Sequence, residues 1–448
     1  MLFAPLVFSC SKKDYIRNPD RISDFHAIIS NTGRPLPVDN VDLFVDYSTC
    51  IAEAVKNSSF FAKFRTNLSG CNPVLWSIKG NEIARVTANQ DSINFLMNDI
   101  TEVPYSDLIG AVHRIATGNH QALLLTDGEY LTKPEGERTD LPYLLNDFKL
   151  WLSKGFEIVI YVEPYKERNK FEKRRFYFLF TDARAQNNFA ARIANLVDLS
   201  SFPEIKMFKL VNPEIKVGTN YASLKQPRAN PVLSVNEMSY KKGYNYEFQE
   251  YQIGWPDISQ YIRYAADSAT GKEIPGGDFL FRGIFVNTKG LEYFSVGDVD
   301  IRVSDVYNEF RQFEDSVQTR DKHPAAESFR ELPEILKMDK ECFAKTGEVT
   351  VKIHPNFNGD MLNKKGQDPE KENLFKVDVV VNRASDLFDQ RSAGFDCFKW
   401  QSMWDPKKVN ISVYESIKQL IKDPAVNPVN VNRGVIYTVY IKTPPFDN

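Results

Sequence analysis

Several features that would point to common protein classes are scarce in this chain. Cysteine and histidine number only five each among 448 residues, and none of them has the paired spacing typical of a zinc site. No apolar run approaches the roughly 20 residues that a membrane-spanning helix needs. Lysine and arginine (56) do not outnumber aspartate and glutamate (59), so no overall positive charge attracts a polyanion. These absences argue against a zinc-stabilised domain, a polytopic membrane protein and a nucleic-acid-binding protein.

What is present indicates a folded, soluble protein with much β-structure. Hydrophobic residues make up 42% of the chain and charged residues 26%, as in globular proteins. Aromatic residues reach 13%, and they suit the pleated, half-buried surface of a sheet. The chain is too long for one core of ordinary size, so we expect about three folding units.

The first ten residues form a short apolar run that ends at Cys10, after which the sequence turns polar. Residues 7–10 (Val-Phe-Ser-Cys) resemble the lipobox of bacterial lipoproteins, and residues 12–14 (Lys-Lys-Asp) resemble the charged export tag of Bacteroidetes surface lipoproteins. The resemblance implies that residues 1–10 are a signal, that Cys10 is lipidated and that the protein is anchored in the cell envelope, at the outer membrane. The alternative is an apolar N-terminal strand with a buried cysteine.

The other cysteines do not imply a disulfide framework. Cys50 and Cys71 flank a segment with helical periodicity. At about 1.5 Å per residue the ends of such a helix lie over about 20 Å apart, far beyond bridging distance. We therefore expect this pair to be unbonded.

Residues 11–40 are rich in charge, proline and asparagine and predict a tether, whereas strand and helix patterns alternate over residues 41–205. Predicted strands cover residues 41–45, 73–78, 121–125, 156–162 and 176–180. Predicted helices follow Ile51, span 108–115, span 142–154 with Asp140 as N-cap, and begin at Asp182. Repeated strand–helix units predict an α/β domain with a doubly wound, mainly parallel sheet.

The segment 206–448 has a different texture, because prolines divide it and the helix alternation stops. Predicted strands cover residues 279–286, 349–354, 375–382 and 435–442, and one helix around 413–421 ends before Pro424. Within 375–382, Lys376, Asp378 and Asn382 share one face of the strand and apolar residues share the other, which predicts a half-exposed strand. We expect a strand-rich α+β region, which the charged stretch 311–340 could divide into two subdomains.

Carboxylates follow two of the predicted strands in the first domain. Residues 46–50 (Asp-Tyr-Ser-Thr-Cys) end the first strand, and residues 126–129 (Thr-Asp-Gly-Glu) end the strand at 121–125. Ligands of open doubly wound sheets bind beyond the carboxyl ends of the strands. The two motifs together resemble the von Willebrand factor A domain, whose metal-ion-dependent adhesion site has Asp-x-Ser-x-Ser after its first strand and Thr-Asp-Gly after its fourth.

The resemblance implies a site for Mg²⁺ or Mn²⁺ at Asp46, Ser48, Ser106 and Asp127. Carboxylate and hydroxyl oxygens are the ligands that such hard cations prefer. Ser106 is the nearest counterpart of the family's central threonine, with the adjacent Asp107 as a substitute. Cys50 departs from the pattern, because a thiol is a poor ligand for magnesium. The alternative is a degenerate site in which Asp46 is solvated or caps the following helix.

Three neighbouring features are interpreted as structural. Glu129 and Asp42 are expected to be exposed carboxylates without a role. Basic residues interleaved with acids over 165–175 predict a solvated hairpin. Trp400 and Trp404 could form a platform for a sugar ring, but aromatic clusters more often belong to a core.

Two hypotheses of function follow. The first is a lipid-anchored binding protein whose α/β domain takes a protein or peptide ligand, with the ligand's carboxylate completing the coordination of the cation. The alternative is a phosphoester hydrolase of the haloacid dehalogenase kind with Asp46 as nucleophile, although Ser48 stands where those enzymes have a second aspartate. Because no Gly-x-Ser-x-Gly, Walker or His-Glu-x-x-His motif occurs, the sequence favours a binding protein over an enzyme.

Overall fold

The structure is a computed structural model of the chain. It describes residues 19–29, 36–68, 71–86, 106–132, 136–167, 170–183, 185, 187–210, 214–217, 233–234, 242–243, 246–250, 252–253, 279–287, 293–319, 329–354, 373–402, 405 and 407–443. Cys10 with its signal and export tag, and Trp404, lie outside the described residues, so the predictions made on them stay predictions.

The α-helices within these ranges are α1 (Pro19–Ile29), α2 (Thr49–Asn57), α3 (Ser59–Leu68), α4 (Leu108–Thr117), α5 (Leu145–Ser153), α6 (Phe189–Leu196), α7 (Tyr307–Thr319), α8 (Lys340–Thr346) and α9 (Ser412–Lys422). The strands of the first half are β1 (Asp42–Asp46), β2 (Val74–Lys79), β3 (Glu82–Arg85), β4 (Ala122–Thr126), β5 (Leu131–Thr132), β6 (Gly136–Glu137), β7 (Glu157–Glu167), β8 (Phe171–Thr181) and β9 (Lys206–Leu210). The strands of the second half are β10 (Glu214–Val217), β11 (Leu233–Ser234), β12 (Lys242–Gly243), β13 (Tyr246–Glu250), β14 (Gln252–Ile253), β15 (Phe279–Asn287), β16 (Phe294–Asp305), β17 (Arg330–Glu331), β18 (Leu336–Met338), β19 (Glu348–Ile353), β20 (Asn373–Asp386), β21 (Trp400–Gln401), β22 (Val409–Asn410) and β23 (Val435–Thr443).

The first half forms a seven-stranded sheet in the order β3-β2-β1-β4-β8-β7-β9. The central strand β1 is parallel to both β2 and β4, and the other four pairings are antiparallel. Four strands, β1, β2, β4 and β7, therefore point in one direction. The predicted α/β class is confirmed, and the sheet is mixed with its parallel strands at the centre.

Helices cover both faces of this sheet, because the central strands are apolar on both sides. Phe60, Phe61 and Phe64 of α3 pack with α2 and α6 against one face. Helices α4, α5 and α9 cover the other face, where Trp151 is fully buried.

The regular strand–helix alternation continues through α5 to β7 and stops there. Strands β7 and β8 are joined by a short connection and pair over eleven residues, from Glu157 opposite Thr181 to Glu167 opposite Phe171. A short connection can join only antiparallel strands, so this hairpin brings β8 next to β4 in the antiparallel sense. The sheet also continues past residue 205, since β9 forms its edge.

Helix ends in this domain differ from the predicted ones. The N-cap position of α5 is Leu144 rather than Asp140, and no side chain caps it. Helix α6 begins after Asn188, whose side chain accepts from the Ala191 N–H, and not at Asp182. The single predicted helix after Ile51 is divided into α2 and α3 at Ser58.

The second half is strand-rich, as the sequence predicts. One sheet has the order β10-β15-β19-β18 and another the order β12-β13-β23-β20-β16-β17. The prediction that residues 375–382 form a half-exposed strand is correct for Asn382, which is exposed, and wrong for Lys376 and Asp378, which are buried. The Lys376 ammonium pairs with the Asp378 carboxylate, and the Thr438 hydroxyl donates to Asp378 at 2.6 Å.

Part of the predicted tether is folded. Helix α1 packs through Ile22 and Phe25 against Phe310 and Phe313 of α7. Residues 36–40 pack against the α/β domain that they precede in the sequence. The Leu36 N–H donates to an Asp182 carboxylate oxygen at 2.9 Å. The short helix α1 forms because its apolar face is buried against α7, since a helix of this length gains most of its stability from such packing.

The C-terminal segment returns to the α/β domain. Phe398 stacks on Phe176 of β8, and Trp400 is 3% exposed beside the same ring. Trp400 thus belongs to the core, which the sequence analysis favoured over a sugar-binding platform. Helix α9 packs against α5, with an ion pair of 2.7 Å between Lys149 and Asp423.

Two further expectations can be compared with the described residues. Cys71 is a free thiol, in agreement with an unbonded Cys50–Cys71 pair. Within the described part of the chain, no helix is long and apolar enough to cross a membrane.

Candidate functional site

The candidate site lies at the carboxyl ends of β1 and β4 and is centred on Asp46. One carboxylate oxygen of Asp46 accepts from the Ser106 hydroxyl at 2.5 Å and from the Ser48 backbone N–H at 3.1 Å. The other oxygen accepts from the Thr126 hydroxyl at 2.7 Å. Asp46 is 1% exposed, so both oxygens are satisfied within the protein. The structure therefore brings together residues that are 60 and 80 positions from Asp46 in the sequence.

Local structure explains the position of Ser106. Its backbone forms an isolated parallel bridge with Gly80 at the end of β2, and the Asp107 N–H donates to the Gly80 carbonyl at 2.7 Å. Asp107 itself caps α4, because its side chain accepts from the Gly110 N–H at 3.0 Å. Ser106, and not Asp107, is thus the residue that meets Asp46.

Asp127 follows β4 in a tight turn. Gly128 has a φ of +73°, a conformation that favours glycine, and the Glu129 N–H donates to the Asp127 carboxylate at 2.9 Å. The Tyr143 hydroxyl donates to the Gly128 carbonyl at 2.9 Å and fixes the turn from the other side. Asp127 is 7% exposed. The charge of Asp46 contributes to raising the pKa of Asp127.

Behind Asp127 lies a fully buried lysine. The Lys173 side chain of β8 is 0% exposed; its ammonium pairs with the Glu129 carboxylate and lies 3.7 Å from the Glu167 carboxylate. The Trp400 indole N–H donates to the same oxygen of Glu129 at 3.3 Å. The long hairpin therefore directs Lys173 inward, towards the turn that carries Glu129, while Lys166 and Lys170 remain exposed.

A second buried ion pair lies beside the first. The Arg175 guanidinium is 2.7 Å from a Glu163 carboxylate oxygen that also accepts from the Tyr177 hydroxyl at 2.6 Å. The other Glu163 oxygen accepts from the Ser58 hydroxyl at 2.5 Å. Ser58 is the residue at which α2 ends and α3 begins. The hydrogen bonds of Glu163 thus connect the sheet to the helix pair that follows Asp46.

These contacts overturn three sequence-based interpretations. The hairpin over 165–175 is not simply solvated, because Lys173 and Arg175 are buried. Glu129 is not exposed either, since its side chain is 9% exposed and paired. Asp42 is partly buried, and its carboxylate accepts from the Trp76 indole at 2.9 Å and lies 3.2 Å from His120.

The sequence contained a signal that could have found the buried lysine. In strand β8, Lys173, Arg175 and Tyr177 alternate with Phe176 and its even-numbered neighbours, so the odd positions share one face. The apolar continuation of that face predicts burial, and buried cations need carboxylate partners. Glu163 and Glu167 occupy odd positions on the adjacent strand, as such pairing requires.

Burial makes it unfavourable for Asp46 and Asp127 both to be ionised. Burial raises the pKa of Asp46, although hydrogen bonds from Ser106, Thr126 and Ser48 act in the opposite direction. The pKa of Asp127 lies well above its ordinary value, first because of burial and next because of the charge of Asp46, while Lys173 lowers it. A bound proton or a bound cation would each offset the negative charge that burial disfavours here.

The donor atoms fit a hard cation. Asp46 and Asp127 offer carboxylate oxygens, and the Ser106 and Thr126 hydroxyls, which both donate to Asp46, offer oxygens of the same hard type. The Thr126 oxygen also accepts from the Gly128 N–H at 3.0 Å. In the described part of the chain, no three His, Cys, Asp or Glu side chains are arranged to share a metal ion, so hydroxyls and water would have to complete the shell. Ser48 contributes its N–H to Asp46 and is half-buried, at the rim of the site. The side chain of Cys50 lies outside what the structure describes.

An apolar depression elsewhere in the molecule does not share this chemistry. It lies between α5, β9 and α9 and is lined by side chains that include Phe156, Leu210, Phe294, Leu420 and Val431. These residues contribute no charged group to orient a ligand. The chemically distinctive part of the described structure is the site around Asp46.

Comparison with known proteins found no matching family model, no matching curated protein and no matching solved structure.

Proposed function

We propose that the protein is a non-enzymatic binding protein whose α/β domain holds Mg²⁺ or Mn²⁺ at Asp46, Asp127, Ser106 and Thr126, with Ser48 at the rim. Its ligand is a protein or peptide that presents a carboxylate to the cation. The observation that carries this proposal is the convergence of the Ser106 and Thr126 hydroxyls on the Asp46 carboxylate, at 2.5 and 2.7 Å. The resemblance of the two motifs to the von Willebrand factor A domain supports it further.

The burial of the site determines how a ligand could approach. Asp46, Ser106 and Thr126 are at most 4% exposed, so their oxygens face inward. Ser48 is half-buried and begins the loop into α2. A partner's carboxylate would therefore reach the cation past Ser48, and the surface around Ser48 would be the contact surface.

Titration of the metal-free protein with MgCl₂ and MnCl₂ by isothermal calorimetry tests the cation site. We expect weak binding, because magnesium dehydrates reluctantly and keeps several waters, and we expect Asp127→Ala to abolish it. Asp147→Asn is the matched control, since Asp147 is a buried carboxylate of the same domain that pairs with His113. Cys50→Ser should strengthen binding by adding a hard oxygen. Wild type without heat or thermal shift at millimolar metal would refute the cation site.

The geometry does not favour the hydrolase hypothesis. A carboxylate nucleophile needs an accessible, ionised oxygen, whereas Asp46 is 1% exposed and accepts three hydrogen bonds. Turnover of an aryl phosphate that is lost in Asp46→Asn would nevertheless decide for the enzyme and against the binding protein.

We further propose that the protein is held at the outer membrane by a lipid on Cys10. The support is the apolar run that ends at Cys10 and the charged residues after it. Multiple acyl chains give stable attachment, whereas a single chain binds only marginally. Cys10→Ser should move the protein from the membrane fraction to the soluble fraction, and wild-type protein that carries no lipid by intact mass would refute the anchor.

A further inference from the structure

Lys79 ends strand β2 at the same edge of the sheet where Asp46 ends β1. The two strands are parallel, and the register partner of Asp46 is Ile78, the residue before Lys79. The residue after Lys79 is Gly80, whose backbone forms the bridge with Ser106. Lys79 therefore lies between the two backbone positions that face Asp46 and Ser106, at the edge of the sheet where ligands of such domains bind.

The Lys79 side chain is exposed, and its ammonium has a defined position. The ammonium lies 4.5 Å from the centre of the Tyr47 ring, because the negative face of an aromatic ring attracts a cation. A hydrogen bond of 3.1 Å from the Tyr47 N–H to the Ile78 carbonyl holds the two strand ends together. Glu82 stands opposite Lys79 in the β2–β3 hairpin, but no carboxylate of the described residues forms an ion pair with Lys79. The ammonium is therefore held beside Tyr47 and keeps hydrogen-bond donors for a ligand.

A positive charge at this place suits a ligand that carries a carboxylate. Tyr47 directly precedes Ser48, the half-buried residue past which a ligand would reach the cation. A carboxylate that binds a metal ion through one oxygen leaves its other oxygen free to accept a hydrogen bond. The Lys79 ammonium has three donors, and a charge-assisted hydrogen bond to a carboxylate is stronger than a neutral one.

We propose that Lys79 is a specificity-determining residue of the ligand surface, where it selects a peptide carboxylate over a neutral amide. Its ammonium donates to the carboxylate oxygen that the cation leaves free. This inference rests on the proposed function, and it adds the residue that contacts the ligand outside the cation site.

Three probe peptides, all built from glycine and serine around one variable residue, test this selection. The first has a glutamate and an amidated C-terminus, the second has a glutamine and an amidated C-terminus, and the third has a glutamine and a free C-terminal carboxylate. Ligand-detected NMR titration in the presence of MgCl₂ measures their weak affinities for the full chain. Comparison of the first and third peptides distinguishes an acidic side chain from a chain terminus as the source of the carboxylate.

Four proteins separate the charge of Lys79 from its other contacts. Lys79→Met keeps most of the apolar stem and should weaken binding of the preferred carboxylate peptide about fivefold or more at low salt, because opposite charges in contact attract one another even in water. High salt should reduce this difference, since exposed charges are screened. Lys79→Arg keeps the charge and should retain most of the affinity. Lys63→Met removes another exposed lysine of the same domain and should leave the affinity at the wild-type value.

The inference stands if Lys79→Met weakens the carboxylate peptide, Lys79→Arg restores it and the glutamine amide binds equally to all four proteins. A Lys79→Met affinity equal to that of wild type would overturn the inference. So would a wild type that binds the carboxylate peptides no more tightly than the glutamine amide. A loss in Lys79→Met that Lys79→Arg shares and that high salt does not reduce would also overturn it, because the loss would then be structural.

Calorimetric titration of the same four proteins with MnCl₂ alone distinguishes failure of the cation site from failure of this inference. If Mn²⁺ binds wild type and Lys79→Met alike while their peptide affinities are equal, the cation site stands and the role of Lys79 is wrong. If no protein binds Mn²⁺ but Lys79→Met still loses the carboxylate peptide, Lys79 recognises the carboxylate and the metal-dependent part of the proposed function is wrong.

Discussion

Each half of the molecule buries a lysine in its sheet, and the two lysines are neutralised differently. Lys376 on β20 pairs with Asp378 of the same strand, which also accepts from Thr438. Lys173 on β8 pairs with Glu129 and also lies 3.7 Å from the Glu167 carboxylate, so its ammonium is shared between two carboxylates. A single ion pair can be removed as a unit, whereas removing Lys173 with one of its carboxylates leaves the other carboxylate behind. The comparison therefore separates a lysine with one carboxylate partner from a lysine shared between two carboxylates.

The largest expected effect is the loss of stability when Lys376 or Lys173 is replaced, and double variants should distinguish the two lysines. Lys376→Met and Lys173→Met each leave buried carboxylate charge uncompensated, which costs about 3–5 kcal/mol of the free energy of unfolding. The double variant Lys376→Met/Asp378→Leu should recover most of that loss, because a balanced pair can be replaced by apolar side chains. Lys173→Met/Glu129→Gln should recover less, since Glu167 remains. Urea denaturation measures all four variants, and equal recovery in the two regions would contradict the comparison.

Removing the central acceptor should have a somewhat smaller effect. Asp46→Ala leaves the Ser106 and Thr126 hydroxyls without their acceptor in a buried site, at a cost of about 2–4 kcal/mol, since an unsatisfied buried group costs about 1–3 kcal/mol. Asp46→Asn keeps an acceptor oxygen and should cost less than Asp46→Ala. Denaturation in the presence of EDTA measures the free energy of unfolding of both variants. A loss below about 0.5 kcal/mol for Asp46→Ala would show that these hydrogen bonds do not form.

Gly128, in the turn between Asp127 and Glu129, can be compared with Gly136, which lies outside that turn. A Cβ atom on Gly128 would lie 2.9 Å from Phe176 and 3.0 Å from Val413, whereas a Cβ atom on Gly136 would meet nothing within 4 Å. Both glycines have positive φ, +73° and +83°, so Gly136→Ala should cost about 1 kcal/mol from backbone strain alone. Gly128→Ala should cost about 1–3 kcal/mol more from overpacking. Thermal denaturation of the two variants should show this difference, and equal losses would contradict the close packing of the turn.

The smallest expected effect is a dependence of stability on pH. Because the folded-state pKa of Asp127 is raised, by burial first and by Asp46 next, its contribution to stability is fully present below the unfolded pKa of about 3.9. That contribution is lost as the pH rises through the folded-state value. Wild type should therefore lose stability relative to Asp127→Asn between pH 4 and pH 8 in EDTA, as measured by urea denaturation.

Millimolar MgCl₂ should reverse this loss in wild type and not in the variant, because a bound cation favours the ionised carboxylate. A wild-type curve parallel to that of Asp127→Asn in both conditions would show that Asp127 carries no unfavourable charge.

Sequence patterns predicted the elements that depend on local hydrophobic periodicity. Strands β1, β2 and β4 and helix α4 lie close to their predicted positions, because continuous apolar runs and 3.6-residue stripes determine which faces must be buried. The same patterns placed Asp46 and Asp127 at strand ends, and the motif resemblance placed Ser106 with them. The hydrogen bond between Ser106 and Asp46 agrees with that placement.

Tertiary structure decided which polar residues from distant parts of the chain pair with one another. Glu129 looks like a surface residue in the sequence, and it is buried because the β7–β8 hairpin brings Lys173 to it and the segment at Trp400 covers it. Lys376 and Asp378 alternate with apolar residues as on a half-exposed strand, yet both are buried. Local periodicity indicates which face of a strand is apolar. The burial of the opposite face depends on segments that are distant in the sequence and pack against it only in the folded chain.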